Sequence, residues 1–436
     1  MYLILHALTF IFLSAYAFRL MISKPSFVKL SKNKKILLSG REKFLLFTLI
    51  TGMFQVGMFS SLRLMVWIAI IASSFFIYHK SPRLNRVIFI YILFLLWISI
   101  SILWSPSFEY GFREFLKYSY PILILLFAFT FIHSKDFIFL AMKWMLIVAF
   151  WVSLLLGGVM THLIGTWYFY LGGMFWPIST LADYLAVMSA VSFVMWWRTK
   201  EKKYLFLIAW FILSAILQSV RTGILSIGVM LIVASYLRYR LLSLPYIVGA
   251  IAIGLFSILY IPQIKDKMFF NPNEITTVND IFVAQEDGNV NTNERSDMWE
   301  HLLARFYKNH QLAGSGLGAV QHYMYENYVF GGLHVPHSDY VQMLCDTGEI
   351  GLFLYLLFPF LFYIYAKKFL HKRPTTPLRS SAILALLSYS AVLPAMAFDN
   401  VVNYSFASHS YPFIFIGIFL AYKNKRKPKK RINNYV

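Results

Sequence analysis

The sequence predicts an all-α, polytopic membrane protein with about 12–13 transmembrane helices and one long, partly helical loop on the outer face. Three observations carry that prediction. First, 59% of the 436 residues are hydrophobic, the mean hydropathy is +0.62 and only 14% are charged, where soluble domains carry roughly 25% charged residues. Second, runs such as 87–103 and 204–217 are continuously apolar and approach the roughly 20 residues that cross hydrocarbon as a helix; a barrel has weaker, alternating segments. Third, the basic residues collect on alternate connections between the runs, the asymmetry that sets membrane orientation.

Spans are expected near residues 2–22, 44–60, 62–78, 87–103, 118–132, 137–157, 179–197, 204–219, 222–237, 244–261, 348–366, 380–397 and 410–422. No basic stretch precedes the first, and Arg19, Lys24 and Lys29 follow it, so it reads as a retained span rather than a cleaved signal peptide. If 44–60 and 62–78 form a re-entrant hairpin, the count falls by two and the orientation is unchanged. Assigning alternate connections to the cytoplasm puts 31 of the 40 Lys and Arg there, with only Glu42, Asp136 and Glu201 among the 19 acidic residues. The N-terminus then lies outside and the C-terminus inside. The net charge of +21 is therefore topological, and the basic tail 423–436 is a membrane anchor at an anionic leaflet rather than a nucleic-acid site. Four units follow: helices in 1–264, an outer loop in 265–347, helices in 348–422 and the tail.

The outer loop holds the concentrated polar chemistry, in NTNERSDMWE (291–300), GSGLG (314–318) and HVPHSDY (334–340). A structureless loop of this length is uncommon in a compact protein, and Trp299, Phe306 and Tyr307 suit one that folds against the membrane helices. Arg221 sits between two apolar spans in SVRTG. An ionisable residue there is costly and by default functional; a guanidinium can clamp a phosphate bidentately, or it can snorkel or pair with a carboxylate such as Asp183. Arg295 precedes a helical pattern that Asn293 or Ser296 could cap. It reads equally as an anion site or as a surface ion pair with Glu294 or Asp297. His334 and His337 flank Val335 and Pro336 just before a helix expected from Ser338; a histidine there can hold or move a proton, cap the helix or bind metal. The His337/Asp339 spacing is not a zinc signature, HExxH is absent, GSGLG lacks the dinucleotide pattern, and no Walker or G-x-S-x-G motif occurs. Cys345 is the only cysteine, so no internal disulfide is possible.

The order of the pieces resembles the O-antigen ligase and Wzy-type polymerase superfamily of bacterial membrane glycosyltransferases. LWSPSFEYGFREFLKY (103–118), GGMFWPISTLADYLAV (172–187), SVRTGILS (219–226), the R-x-x-x-W of RSDMWE, GSGLG and HSDYVQMLCDTGEIGL (337–352) follow one another as that family's segments do. The sequence departs from the family pattern at Ser338, where an Asn is usual, and at Asp346-Thr347-Gly348, where a Glu-Gly pair is usual. The resemblance implies transfer of a glycan from a polyprenyl-diphosphate carrier to an acceptor hydroxyl on the outer face, with no cofactor, no metal and inversion at the anomeric carbon. It implies that Arg221 and Arg295 hold the diphosphate and that His337 serves the acceptor hydroxyl. Asp339, Asp399, His409, Arg113 and Lys117 join as further candidates because they share the outer face. The acceptor is another lipid-linked repeat unit for a polymerase, the favoured reading, or lipid A core or protein for a ligase. A transporter or flippase for lipid-linked oligosaccharides is the alternative of another class; such folds show repeats and broken midplane helices.

Overall fold

The computed structural model describes residues 2–31, 33–55, 60–156, 178–218, 220–260, 262–286, 288–291, 295–327 and 333–425. The chain is an all-α, multi-pass membrane protein: among the described residues, eight helical stretches are long and apolar enough to cross a membrane, and four shorter apolar helices accompany them. In order, the bundle helices are α1 (Tyr2–Ile22), α2 (Gly40–Thr51), α3 (Ser60–Ile77), α4 (Arg86–Ser101), α5 (Phe108–Phe131), α6 (Phe137–Leu156), α7 (Ile178–Thr199), α8 (Lys203–Leu217), α9 (Arg221–Tyr239) and α10 (Leu244–Tyr260). Between them and the last helices stand α11 (Pro262–Met268), α12 (Val278–Glu286), α13 (Arg295–Leu302) and α14 (Ala319–Asn327). The chain returns through α15 (Asp339–Leu370), α16 (Pro377–Phe398) and α17 (Ser410–Lys425).

A helix stands at each expected span, but three extents differ. The segment 44–60 is not one helix: α2 stops at Thr51 and a single 3-10 turn, Gly52–Gln55, follows. Gly52 and Gly57 interrupt the apolar run, and glycine costs about 1 kcal/mol in a helix interior. The helix expected from residue 118 begins at Phe108, because the Ser107 hydroxyl caps it by accepting the Tyr110 N–H at 3.5 Å, and the ion pairs Glu109–Arg113 and Glu114–Lys117 fall at helical spacing. The helix expected from residue 348 begins at Asp339, where Ser338 accepts the Val341 N–H at 3.3 Å. It breaks at Gly348, whose φ is +68°; a Cβ there would stand 2.3 Å from the Leu312 carbonyl oxygen, so only glycine lets the loop backbone lie against this helix.

The bundle centre is apolar and aromatic. Every residue of α17 from Ser410 to Tyr422 is buried, packed against α5 and α16, with Phe413 stacked on Phe358 of α15 at 5.2 Å. At one end, Glu42 accepts the His133 and Ser134 N–H groups at 2.8 and 2.6 Å and ties α2 to the α5–α6 turn. A two-stranded antiparallel hairpin, β1 (Ser26–Ser31) with β2 (Lys34–Leu38), covers that end; it was not expected from the sequence. Its Ile36 and Leu38 are buried while its lysines face out.

At the other end, described residues of the long segment between α10 and α15 form a cap, in which Met298, Leu302, Val320 and Met324 pack with Cys345 of α15. It is joined to the bundle by Ser105 Oγ donating to the Leu317 carbonyl at 2.8 Å, Trp104 Nε1 to the Gly314 carbonyl at 3.2 Å and Trp97 Nε1 to the Thr347 carbonyl at 2.9 Å. GSGLG makes this junction. Gly316 has φ +100°, and a Cβ on it would sit 2.5 Å from Ser105 Cα.

Candidate functional site

Arg221 is the first residue of α9, Arg295 of α13 and Asp339 of α15. Helix starts present unpaired N–H groups and a partial positive charge, so this end of the bundle is predisposed toward anions. The Arg221 guanidinium donates through Nη1 to the Asn291 carbonyl at 2.9 Å. That of Arg295 donates through Nη1 to the Phe398 carbonyl at 2.6 Å. Both are half-buried, and the charge of Arg295 bears on Arg221. Burial draws the Arg295 pKa down, opposed by Asp399 and Tyr404; an arginine stays protonated through shifts of this kind. Two guanidiniums within electrostatic reach of one another suit an anion of two or more charges.

His337 stands beside them. Its Nδ1 is 3.4 Å from Asp399 Oδ1. The imidazole is 24% exposed and the Asp399 side chain 5%, so a substrate group can reach the ring and not the carboxylate behind it. Two chain neighbours and its own backbone hold the histidine. Pro336 precedes it, with its carbonyl accepting from Trp299 Nε1 at 2.6 Å; Ser338 follows as the cap of α15; and His337 itself has φ +51°, a left-handed conformation that histidine tolerates better than most residues. Asp399 also accepts the Asn400 N–H at 2.8 Å. With Nδ1–H directed at the carboxylate, Nε2 is the free basic nitrogen.

Behind this pair, Asp339 accepts from Asn400 Nδ2 at 3.3 Å and from the Val402 N–H at 3.2 Å, and Asn400 Nδ2 also donates to Gln342 Oε1 at 3.0 Å. Asp183 of α7 is buried within electrostatic reach of Asp399 and Asp339. Among the described residues neither of its carboxylate oxygens has a hydrogen-bond partner, so it does not pair with Arg221.

The structure therefore brings together Arg221, Arg295, His337, Asp339 and Asp399. It does not bring the other three candidates to them in the same way. Arg113 pairs with exposed Glu109 on its own helix. Lys117 is buried, paired with Glu114 and donating to Asn403 Oδ1 at 2.5 Å, where it pins α5 to the 399–404 turn. His409 is enclosed in the core with Nε2 2.9 Å from the Tyr355 hydroxyl. His334 stacks on Tyr325 at 4.5 Å instead of joining His337. Ser296 lies inside α13 and does not cap it; Asn293, Glu294, Ser219, residues 157–177 and the tail from 426 lie outside the described residues. Sequence reasoning missed Asn400, Gln342 and the Trp299 indole donor. The only trace of Asn400 is its place in the polar DNVVN turn between two spans. Among the described residues no group of three or more His, Cys, Asp or Glu is placed to hold a metal.

Residues 206–356 match the family model Wzy_C, described as O-antigen ligase, and this match supports the O-antigen ligase/Wzy superfamily. It takes in Arg221, Arg295, His337 and Asp339 and stops short of Asp399. Members of that family are glycosyltransferase-like membrane enzymes. No curated protein matches the chain.

Proposed function

We propose that the chain transfers a glycan from a polyprenyl-diphosphate carrier to an acceptor hydroxyl on the outer face of the inner membrane. One observation carries this: the half-buried Arg295 guanidinium, within electrostatic reach of Arg221, lies beside the His337–Asp399 pair. Arg221 and Arg295 hold the diphosphate, and their charge stabilises it as a leaving group. His337 Nε2 takes the proton of the acceptor hydroxyl. The acceptor oxygen bonds to the anomeric carbon, the bond from that carbon to the diphosphate oxygen breaks, and the electron pair leaves on polyprenyl diphosphate. Displacement in one step inverts the anomeric centre. Asp399 orients the imidazole and Asp339 holds the Asn400 turn. No metal, cofactor or nucleotide sugar is assigned a part. In this reading 265–347 is the catalytic cap, 1–264 and 348–422 are its membrane base, and 423–436 is a cytoplasmic anchor.

The favoured acceptor is a second lipid-linked repeat unit, which makes the chain a surface-polysaccharide polymerase. Transfer to lipid A core is the second reading, favoured by the O-antigen ligase description of the matched family. Purified protein incubated with a polyprenyl-diphosphate repeat unit as the sole substrate tests them. A ladder of lengthening glycans supports polymerisation. Product only on adding lipid A core moves the assignment to ligation. An intact donor with both acceptors, alongside carrier flipping in vesicles, moves it to transport.

A further inference from the structure

At the end of the bundle away from the proposed site, a cleft of about 820 Å³ opens between α6, α7 and α8 under the β1–β2 hairpin. We propose that it binds one anionic phospholipid of the surrounding leaflet. The inference rests on the membrane character of the chain and not on the proposed reaction.

The cleft mouth is cationic in excess. Lys34 is matched by Asp136 at 2.5 Å, and Lys203 is matched by Glu201. Lys143 instead directs Nζ to the Leu30 carbonyl at 3.1 Å, and the Arg198 guanidinium lies over the Phe139 ring at 3.6 Å. Among the described residues neither forms an ion pair, so the lining carries two positive charges beyond its carboxylates. A phosphodiester supplies the missing negative charge.

The wall below is apolar and runs into the bilayer. Lys143, Leu146, Ile147, Phe150 and Trp151 line the cleft from one face of α6, at the three- and four-residue steps that put side chains in one stripe. From Lys143 to Trp151 the stripe runs about 12 Å along the helix, with Trp151 turned outward at 54% exposure. A phosphate at Lys143 and Arg198 would therefore lay one acyl chain along Leu146, Phe150 and Trp151. A soluble anion would use the mouth and leave this wall bare.

Native mass spectrometry of the full chain, titrated with phosphatidylglycerol or with phosphatidylcholine of equal chain length, tests this. The expected result is one phosphatidylglycerol retained at least tenfold more tightly than phosphatidylcholine. Lys143→Gln, which removes charge, and Leu207→Trp, which fills the cleft without changing charge, should each lower that retention about tenfold. Lys367→Gln, on the exposed face of α15, should not. Equal retention of the two lipids overturns the proposal, as does wild-type retention in both cleft variants. Displacement of phosphatidylglycerol by a polyprenyl phosphate at far lower concentration also overturns it, by giving the cleft to the carrier lipid. Unchanged thermal melting of either cleft variant separates loss of the site from loss of the fold.

Discussion

Trp299, Ser338 and Asn400 touch no proposed substrate atom, yet they decide where His337 and Asp399 stand. Trp299 donates to the carbonyl before His337, Ser338 caps the helix after it, and Asn400 donates its N–H to Asp399. Two kinds of variant therefore separate. His337→Ala removes the base and should lower turnover about 10²–10⁴-fold, with donor KM little changed. Trp299→Phe keeps the ring and loses one hydrogen bond, about 1 kcal/mol; it should lower kcat by a smaller factor and leave donor KM alone. Steady-state kinetics of both proteins check this. Arg221 stands out in the sequence because it interrupts two apolar spans, and Arg295 and His337 because they are charged or titratable residues in the polar loop, in the order the resemblance implies. Asn400 and Gln342 do not stand out: an uncharged amide between two spans looks like any loop residue, and its partners lie some 60 positions away in the chain.

The helices were legible because each buries an apolar run of membrane length; their polar beginnings were not. Hydropathy reports the part of a helix that meets lipid, whereas α5 and α15 begin where Ser107 and Ser338 cap them, about two and a half to three turns before the apolar run. The hairpin over residues 26–38 was hidden by its lysines. Two predictions belong to elements. Gly316→Ala would force a side chain into the Ser105 backbone at a φ of +100°. It should destabilise the protein by about 1–3 kcal/mol, seen as a lower Tm in detergent. At the start of α12, Asp280 accepts the N–H groups of Thr276 and Thr277 at 2.8 and 2.7 Å, and these bonds hold its pKa down at about 2 against an ordinary 3.8. The depressed value means that its contribution is complete above pH 3.8 and disappears as the pH falls through 2. Asp280→Asn should speed hydrogen exchange in the first turn of α12 at neutral pH, and the difference from wild type should close only in strong acid.

Across the whole molecule, charge is sorted by end. Lys34, Lys143, Arg198 and Lys203 outnumber Asp136 and Glu201 at the cleft under the hairpin, while Asp183, Asp339 and Asp399 are buried together at the other end. The positive-inside rule predicts that the cap lies outside the cell, where the proposed lipid-linked donor would meet it. Because Cys345 is buried, the natural chain offers little background to a thiol reagent. Lys308→Cys, in the cap, should react with an impermeant maleimide on intact spheroplasts, and Lys367→Cys only after lysis; the reverse pattern would invert the orientation. In the proposed reaction Arg221 and Arg295 hold the diphosphate of the donor while His337 takes the proton of the acceptor, and all three are needed to release polyprenyl diphosphate. The most direct measurement is polyprenyl diphosphate released per enzyme from a purified donor, by wild type and by Arg221→Ala, Arg295→Ala and His337→Ala. Steady release by wild type and a fall of about 10²-fold or more in each variant are expected. Release at the wild-type rate from all three folded variants would contradict it.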